Sequence, residues 1–262
     1  MDVADYILLG VLQGFTEWLP VSSEGVITVI SKLVYGQSLE RSLGLAIWLH
    51  IGTLAAAATY LRKDLLKIVK PIFGLEGDSQ LTSFIIIATA ATALTAAPLI
   101  LFLKNLSAPD GAFTLLVGFS LLVVASLSRN KWSSNNTRLG PAVAAVAGLI
   151  QGFSIIPGVS RSGVTVAALM FLGFSLSGAL RLSYLMSIPA VAGAQLLLPL
   201  FLGYGVLEWG MVAGALAAAL TGFVTIKALL RIAGSGVSRL FTYLLGFALV
   251  FLGLLMELSG IR

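Results

Sequence analysis

Two short stretches decide how this chain folds. Pro20-Val21-Ser22-Ser23-Glu24-Gly25 interrupts an apolar run over residues 3–36, and Pro157-Gly158-Val159-Ser160-Arg161-Ser162-Gly163 interrupts another over residues 139–180. A bilayer core about 30 Å thick needs roughly 20 apolar residues in a helix to cross it. Neither half of either run is that long. Irregular backbone at membrane depth survives only inside protein or beside a polar cavity, so each stretch predicts a re-entrant helix, loop, helix hairpin. Two ordinary spans bent at proline are the alternative geometry.

The reading as a membrane protein comes from composition. Of 262 residues, 58% are hydrophobic and 10% charged, against about 25% charged in a typical soluble domain. Soluble enzyme folds are excluded on that ground, and the 28 glycines suit helices packed closely in lipid. The lack of cysteine removes disulfide frameworks, thiolate nucleophiles and zinc clusters, and a single histidine excludes poly-histidine metal sites. A net charge of +5 and a pI near 9.6 would suggest nucleic acid in a soluble chain. Here the basic residues sit in short loops between apolar runs, where they act as topology signals, and no nucleic-acid partner is expected. The acidic start Met1-Asp2-Val3-Ala4-Asp5 lacks the basic region of a cleavable signal, so the first apolar stretch is read as part of the working protein.

Residues 43–61, 81–103, 112–128, 182–207, 209–226 and 240–256 contain no Asp, Glu, Lys or Arg and predict six complete spans. The two interrupted regions resemble each other. Gln13-Gly14-Phe15-Thr16, Pro20, Ser22, Ser23 and Gly25 parallel Gln151-Gly152-Phe153-Ser154, Pro157, Ser160, Ser162 and Gly163. This predicts an internal duplication, repeat one over residues 1–128 and repeat two over 139–258, within a single membrane domain. Three spans separate the hairpins, so they enter from opposite faces as in inverted-topology repeats. The predicted fold is therefore an all-α polytopic membrane protein with six transmembrane helices and two re-entrant hairpins. With residues 1–40 starting and finishing outside, eleven basic residues fall in inside loops and four (Lys32, Arg41, Lys104 and Arg262) outside. That satisfies the positive-inside rule and puts both termini outside.

Glu17, Glu24 and Arg161 lie within or beside the breaks, where an unpaired charge is expensive, so they are expected to face one another or a cavity. The drawing brings Glu17, Ser22, Ser23 and Glu24 towards Ser160, Arg161, Ser162 and Thr165. A buried Glu17 to Arg161 pair that merely locks the hairpins is the structural alternative. Ser22 or Ser23, and Ser160 or Ser162, sit where N-caps belong. Two helix N-termini aimed at one point also offer free N–H groups to a phosphate, and Arg161 adds a forked cation matched to its oxygens. Gln13 and Glu17, four residues apart, share a helix face. They are candidates to hold a hard cation such as Mg²⁺ or to orient a nucleophile. His50, mid-span in Trp48-Leu49-His50-Ile51, is a packing residue or a catalytic one. Lys32 is expected to snorkel to the surface.

The runs from Gly10 to Ser23 and from Pro157 to Thr165 resemble the two signature motifs of the BacA-type undecaprenyl-diphosphate phosphatases, in order and separation as well as content. The resemblance implies a plasma-membrane enzyme, its site open to the outer face, that removes one phosphate from a C55 polyprenyl diphosphate. The monophosphate carrier so regenerated serves cell-wall, peptidoglycan and surface-glycan synthesis, and the family is associated with bacitracin resistance. It also implies a divalent cation, Mg²⁺ or Ca²⁺, on Gln13 and Glu17, with Ser23 as nucleophile or polar ligand and Ser160, Arg161 and Thr165 binding phosphate. The expected catalytic set is Glu17, Ser23, His50 and Arg161; Gln13, Ser22, Glu24, Ser160, Ser162 and Thr165 are expected on the substrate. A homodimer is a candidate assembly. In one respect the chain departs from the pattern it resembles: the family's Thr-Gly-His after Ser-Ser is Glu24-Gly25-Val26 here, so the resemblance is to a divergent member without the usual histidine, and Glu24 and His50 are the candidates to replace it.

A rival reading from another class is a transporter or flippase of a phosphorylated polyprenyl lipid, because broken helices meeting at the midplane are also a transporter's anatomy. Phosphate release by the purified protein separates the two.

Overall fold

The computed structural model describes residues 1–102, 138–156, 159–202, 208–234 and 238–259, together with positions 115, 118, 119 and 122. Among these residues all regular structure is helical. Met1 and Asp2 lead into α1 (Val3–Thr16), closed at its start by a capping box in which the Asp2 and Asp5 side chains each accept from the other's backbone N–H. A tight turn through Pro20 follows, and Ser22 caps α2 (Ser23–Leu33) by accepting from the Gly25 N–H. The second break is built the same way. Helix α6 (Pro141–Gly152) starts with proline, where the missing N–H has no intrahelical role, and passes through a short 3₁₀ turn, Phe153–Ile155. Ser160 then caps α7 (Arg161–Phe171) by accepting from Gly163. Pro157 and Gly158 lie outside the described residues.

These four helices have 14, 11, 12 and 11 residues. At about 1.5 Å per residue none reaches 30 Å. Among the described residues four others are long and apolar enough to cross a membrane: α3 (Leu39–Tyr60), α5 (Ser79–Phe102), α8 (Leu176–Leu202) and α9 (Trp209–Ala233). The chain is a multi-pass membrane protein. The expected spans at 43–61, 81–103, 182–207 and 209–226 correspond to these four. Their ends extend into charged sequence where a partner or cap is at hand. Arg181 enters α8 because its guanidinium grips Asp64 at 2.7 Å, and α3 takes in Glu40 and Arg41 behind the Ser38 cap. The expected span 240–256 falls within α10 (Ser238–Ser259), whereas most of 112–128 lies outside the described residues. The loop after α3 contains a further short helix, α4 (Arg62–Val69), and one 3₁₀ turn, Lys70–Phe73.

Small residues set the packing. A Cβ on Gly10 would stand 2.0 Å from the Gly214 carbonyl oxygen, and one on Gly14 2.6 Å from that of Ala218, so α1 lies backbone to backbone on α9. Gly148 and Gly152 do the same for α6 on α5, with a Cβ at Gly148 2.2 Å from the Ala88 oxygen. Gly10 and Gly148, Gly14 and Gly152, Gln13 and Gln151, and Ser22 and Ser160 all stand at one offset of 138 residues. Each broken segment thus packs against a long helix of the other half of the chain. That exchange carries both breaks to the middle of the structure, where Ser162 Oγ on α7 donates to the Leu19 carbonyl at 2.6 Å. Trp18, fully buried, meets the edge of Tyr184 at 4.9 Å, and the Tyr184 hydroxyl donates to the Trp18 carbonyl.

Candidate active site at the meeting of the two helix breaks

Glu17 is the residue around which the two breaks are organised. It ends α1, and its side chain is 4% exposed. Its Oε2 accepts from Gln13 Nε2 at 3.0 Å, from Ser23 Oγ at 2.6 Å and from His50 Nε2 at 3.1 Å; its Oε1 accepts from Arg161 Nη2 at 2.5 Å. Helix α1 supplies Gln13 one turn before the carboxylate, the capped start of α2 supplies Ser23, α3 supplies His50 and the first turn of α7 supplies Arg161. Two cations and two neutral donors satisfy a buried charge that would otherwise cost several kcal/mol.

Hydrogen bonding fixes the state of His50. Its Nδ1 lies 2.7 Å from the Ala46 carbonyl, which only accepts, and Nε2 faces a carboxylate oxygen. A ring that donates from both nitrogens is the imidazolium. Arg161 is anchored by Nη2 and lies over the Trp18 ring at 5.9 Å, while its Nη1 is buried with no partner. A buried charged N–H left unmade is expensive. An anionic ligand would satisfy it.

The remaining expected residues take distinct places. Of the paired cap candidates, Ser22 rather than Ser23 and Ser160 rather than Ser162 are the N-caps. The Ser160 hydroxyl also meets that of Ser162 at 3.3 Å, and Ser162 donates onward to Leu19, so this chain braces the two breaks against each other. Thr165 is buried and donates to the Arg161 carbonyl at 2.7 Å, one turn back along α7. It steadies the turn that carries the guanidinium and is not brought to the carboxylate. Glu24, His50 and Arg161 are among the residues that line a cavity of about 270 Å³. Lys32 is exposed in the last turn of α2.

Gln151 was not among the expected site residues. It is 1% exposed and lines the same cavity. Its Nε2 donates to Thr92 Oγ1 and to the Met186 carbonyl, leaving Oε1 without a partner. Its match to Gln13 in the repeat was the signal that could have found it. Trp18 and Tyr184 were also missed, because nothing local distinguishes a buried aromatic that shelves a guanidinium from one that fills core.

The residues expected to hold a divalent cation do not fit one in this arrangement. Gln13 Oε1 is buried and open, but four donors occupy the Glu17 carboxylate, and two of them are cationic. A metal ion there would displace Arg161 or His50. Among the described residues no other cluster of three His, Cys, Asp or Glu side chains stands ready to bind one.

The family model described as "Bacitracin resistance protein BacA" matches residues 6–251. A protein of Methanococcoides burtonii named undecaprenyl-diphosphatase is 36% identical over 243 residues, covering 89% of this chain and 91% of the relative. One of Haloarcula marismortui with the same name is 39% identical over 237 residues, covering 86% and 88%. One of Desulfosudis oleivorans, again so named, is 34% identical over 280 residues, covering 97% and 100%. With its two signature breaks joined on a single carboxylate, and with a match running through nearly all its helices, the chain belongs to the bacitracin resistance protein BacA family.

Proposed function

We propose that this protein is an integral-membrane phosphatase that hydrolyses undecaprenyl diphosphate, or a closely related polyprenyl diphosphate, to the monophosphate. The observation that carries the reading is the constellation on Glu17: a serine hydroxyl 2.6 Å from a carboxylate that can take its proton, beside a guanidinium with one N–H unused. Nucleophile and base within hydrogen-bond reach, with the base oriented by further groups, is the geometry of covalent catalysis.

The terminal phosphate of the substrate takes Arg161 Nη1, and the N-terminus of α7 adds its positive dipole end. Ser23 Oγ attacks that phosphorus as its proton passes to Glu17 Oε2. The Oγ–P bond forms, the bridging P–O bond breaks, and the prenyl monophosphate leaves with the bridging oxygen. Water then cleaves the phosphoserine, releasing inorganic phosphate and returning the proton to Ser23. His50 holds Glu17 in place and offsets its charge from α3. It thereby takes over from the histidine that Val26 has displaced from the second turn of α2. Each of these steps uses the protein's own groups.

The same proposal extends to the finer layout: six crossings and two re-entrant hairpins in inverted repeats, both termini outside, the site open to the outer face of the plasma membrane, and a homodimer as the candidate assembly. The exchanged packing of the two broken segments supports the inverted arrangement. The deciding experiment measures phosphate release from undecaprenyl and farnesyl diphosphates by detergent-purified protein, with and without chelator, comparing wild type with Glu17→Gln, Ser23→Ala, His50→Ala and Arg161→Ala. Release by wild type that falls in all four variants supports the phosphatase. Lipid movement across liposomes without phosphate release would support the carrier instead.

A further inference from the structure

Two side chains that line the cavity each hold a buried atom without a partner among the described residues, and the two atoms are of opposite kinds: Arg161 Nη1 is a donor and Gln151 Oε1 an acceptor. The Gln151 amide cannot turn to exchange its ends. Thr92 Oγ1 lies 2.8 Å from the Ala88 carbonyl and 3.1 Å from that of Gly148, so its hydrogen is committed to them and it can only accept from Gln151 Nε2, at 3.1 Å. The Met186 carbonyl, 3.4 Å from Nε2, likewise only accepts. Three backbone carbonyls thus hold the amino end in place and leave the amide oxygen over, in a side chain 1% exposed. The surroundings do not supply the missing donor. Thr89 gives its hydrogen to the Ile85 carbonyl, Gln195 Nε2 donates to the Ile47 carbonyl, and both nitrogens of His50 are engaged. Gln13, which holds the same place in the first repeat, spends its Nε2 on Glu17.

A buried acceptor with no donor is costly, and it calls for a ligand that brings hydrogen. Phosphate oxygens satisfy Arg161 Nη1 and repel Gln151 Oε1. The reactant with hydrogens to give is the water that cleaves the phosphoserine. Resting on the phosphatase reading, we infer that Gln151 holds this water: Oε1 accepts one of its hydrogens and so turns a lone pair of the water oxygen towards the phosphorus that Arg161 clamps. The bond from water oxygen to phosphorus forms and the Ser23 Oγ–P bond breaks. Oγ takes back the proton held on Glu17, and both water hydrogens leave on the phosphate. At about 270 Å³ the cavity has room for a phosphate and for a water, whose share of liquid volume is about 30 Å³, and Oε1 with a phosphate oxygen gives that water the two polar partners it needs. The repeats then divide the reaction. Helices α1 and α2 carry base and nucleophile, while α6 and α7 carry the groups for water and phosphate.

The test compares Gln151→Leu and Thr92→Val with wild type in detergent, on undecaprenyl diphosphate labelled in its terminal phosphate. Leucine is a good helix former, so α6 is retained, and thermal unfolding checks both variants. Gln151→Leu is expected to lower kcat roughly 10- to 100-fold through lost placement of the water, while kcat/KM, which reports only the steps up to departure of the prenyl monophosphate, stays within about twofold. In a single turnover the monophosphate should appear at the wild-type rate, and acid-quenched Gln151→Leu should carry more labelled phosphoserine than wild type. Thr92→Val keeps the shape of its side chain but releases the amide, and is expected to show the same pattern more weakly. An unchanged kcat in Gln151→Leu would overturn the inference. So would a fall in kcat/KM as large as that in kcat without phosphoserine build-up, since a residue that only packs or binds substrate slows the first step too. A loss reversed by excess Mg²⁺ or Ca²⁺ would make Oε1 a cation ligand and overturn the assignment to water. Wild-type protein that releases no phosphate refutes the phosphatase reading itself, a result distinct from normal release on which Gln151 has no effect.

Discussion

Arg161→Lys separates a structural lock from a catalytic clamp. In the structure one guanidinium nitrogen, Nη2, holds Glu17 at 2.5 Å and the other, Nη1, is buried without a partner. Lysine keeps the charge but has a single nitrogen, so it can serve the carboxylate or the phosphate with proper geometry and not both. If the pair only joined the hairpins, Arg161→Lys would be mild in every respect. If Arg161 clamps the phosphate, the protein stays folded, because the buried carboxylate keeps a cation, while the phosphoryl group loses a preorganised donor. Losing one such donor costs about 2.7–4 kcal/mol, or roughly 10² to 10³ in kcat. Arg161→Ala is harsher. It leaves Glu17 with His50 as the sole cation on its carboxylate, and breaking a buried pair costs about 3–5 kcal/mol of stability. The double variant Glu17→Gln/Arg161→Ala should recover part of that stability and none of the activity. Phosphate release and thermal unfolding in one detergent would be measured for all three. Near-normal turnover by Arg161→Lys would refute the clamp, and full activity in the double variant would remove both residues from the chemistry.

Ser23→Ala should lower kcat by at least about a thousandfold with little change in thermal unfolding, and acid-quenched wild type should carry phosphate on Ser23; retained turnover would mean that water attacks directly. His50→Ala should reduce phosphate release by roughly 10² or more, and His50→Gln, which can still donate to Glu17, should retain more; equal rates for both would show that the Nε2 contact is not what matters. Gly10→Leu should disrupt the α1–α9 seam, since even a Cβ there would sit 2.0 Å from a carbonyl oxygen, lowering stability by about 1–3 kcal/mol or preventing folding, read by detergent thermal shift against Gly193→Ala, where a Cβ meets nothing within 4 Å, as the neutral comparison.

Much of this was legible in one dimension. The scarcity of charge implied a membrane protein, and the two proline and serine breaks identified the segments too short to cross. The repeated Gln-Gly-Phe motif marked Gln13 and Gln151 as counterparts, although the motif alone did not carry Gln151 to the site. N-caps are local chemistry, so a cap at Ser22 or Ser23 and another at Ser160 or Ser162 were readable from their neighbours alone, while the structure chose Ser22 and Ser160. Thr165 was not: whether its hydroxyl faces a ligand or its own helix depends on a rotamer, and here it bonds back to Arg161.

What tertiary structure decided is which distant groups share one point. His50 is 33 positions from Glu17, and nothing in its own apolar helix separates a packing histidine from one in the site; the crossing of α3 beside the end of α1 brings it within 3.1 Å. Glu17 looked open to a metal ion from sequence, and only the convergence of four donors shows it already satisfied. Composition and spacing determine which segments enter a membrane, because those depend on length and local polarity. The partners of a buried charge depend on how helices from separate parts of the chain pack, and here glycines at 10, 14, 148 and 152 let those helices come close enough for the partners to meet.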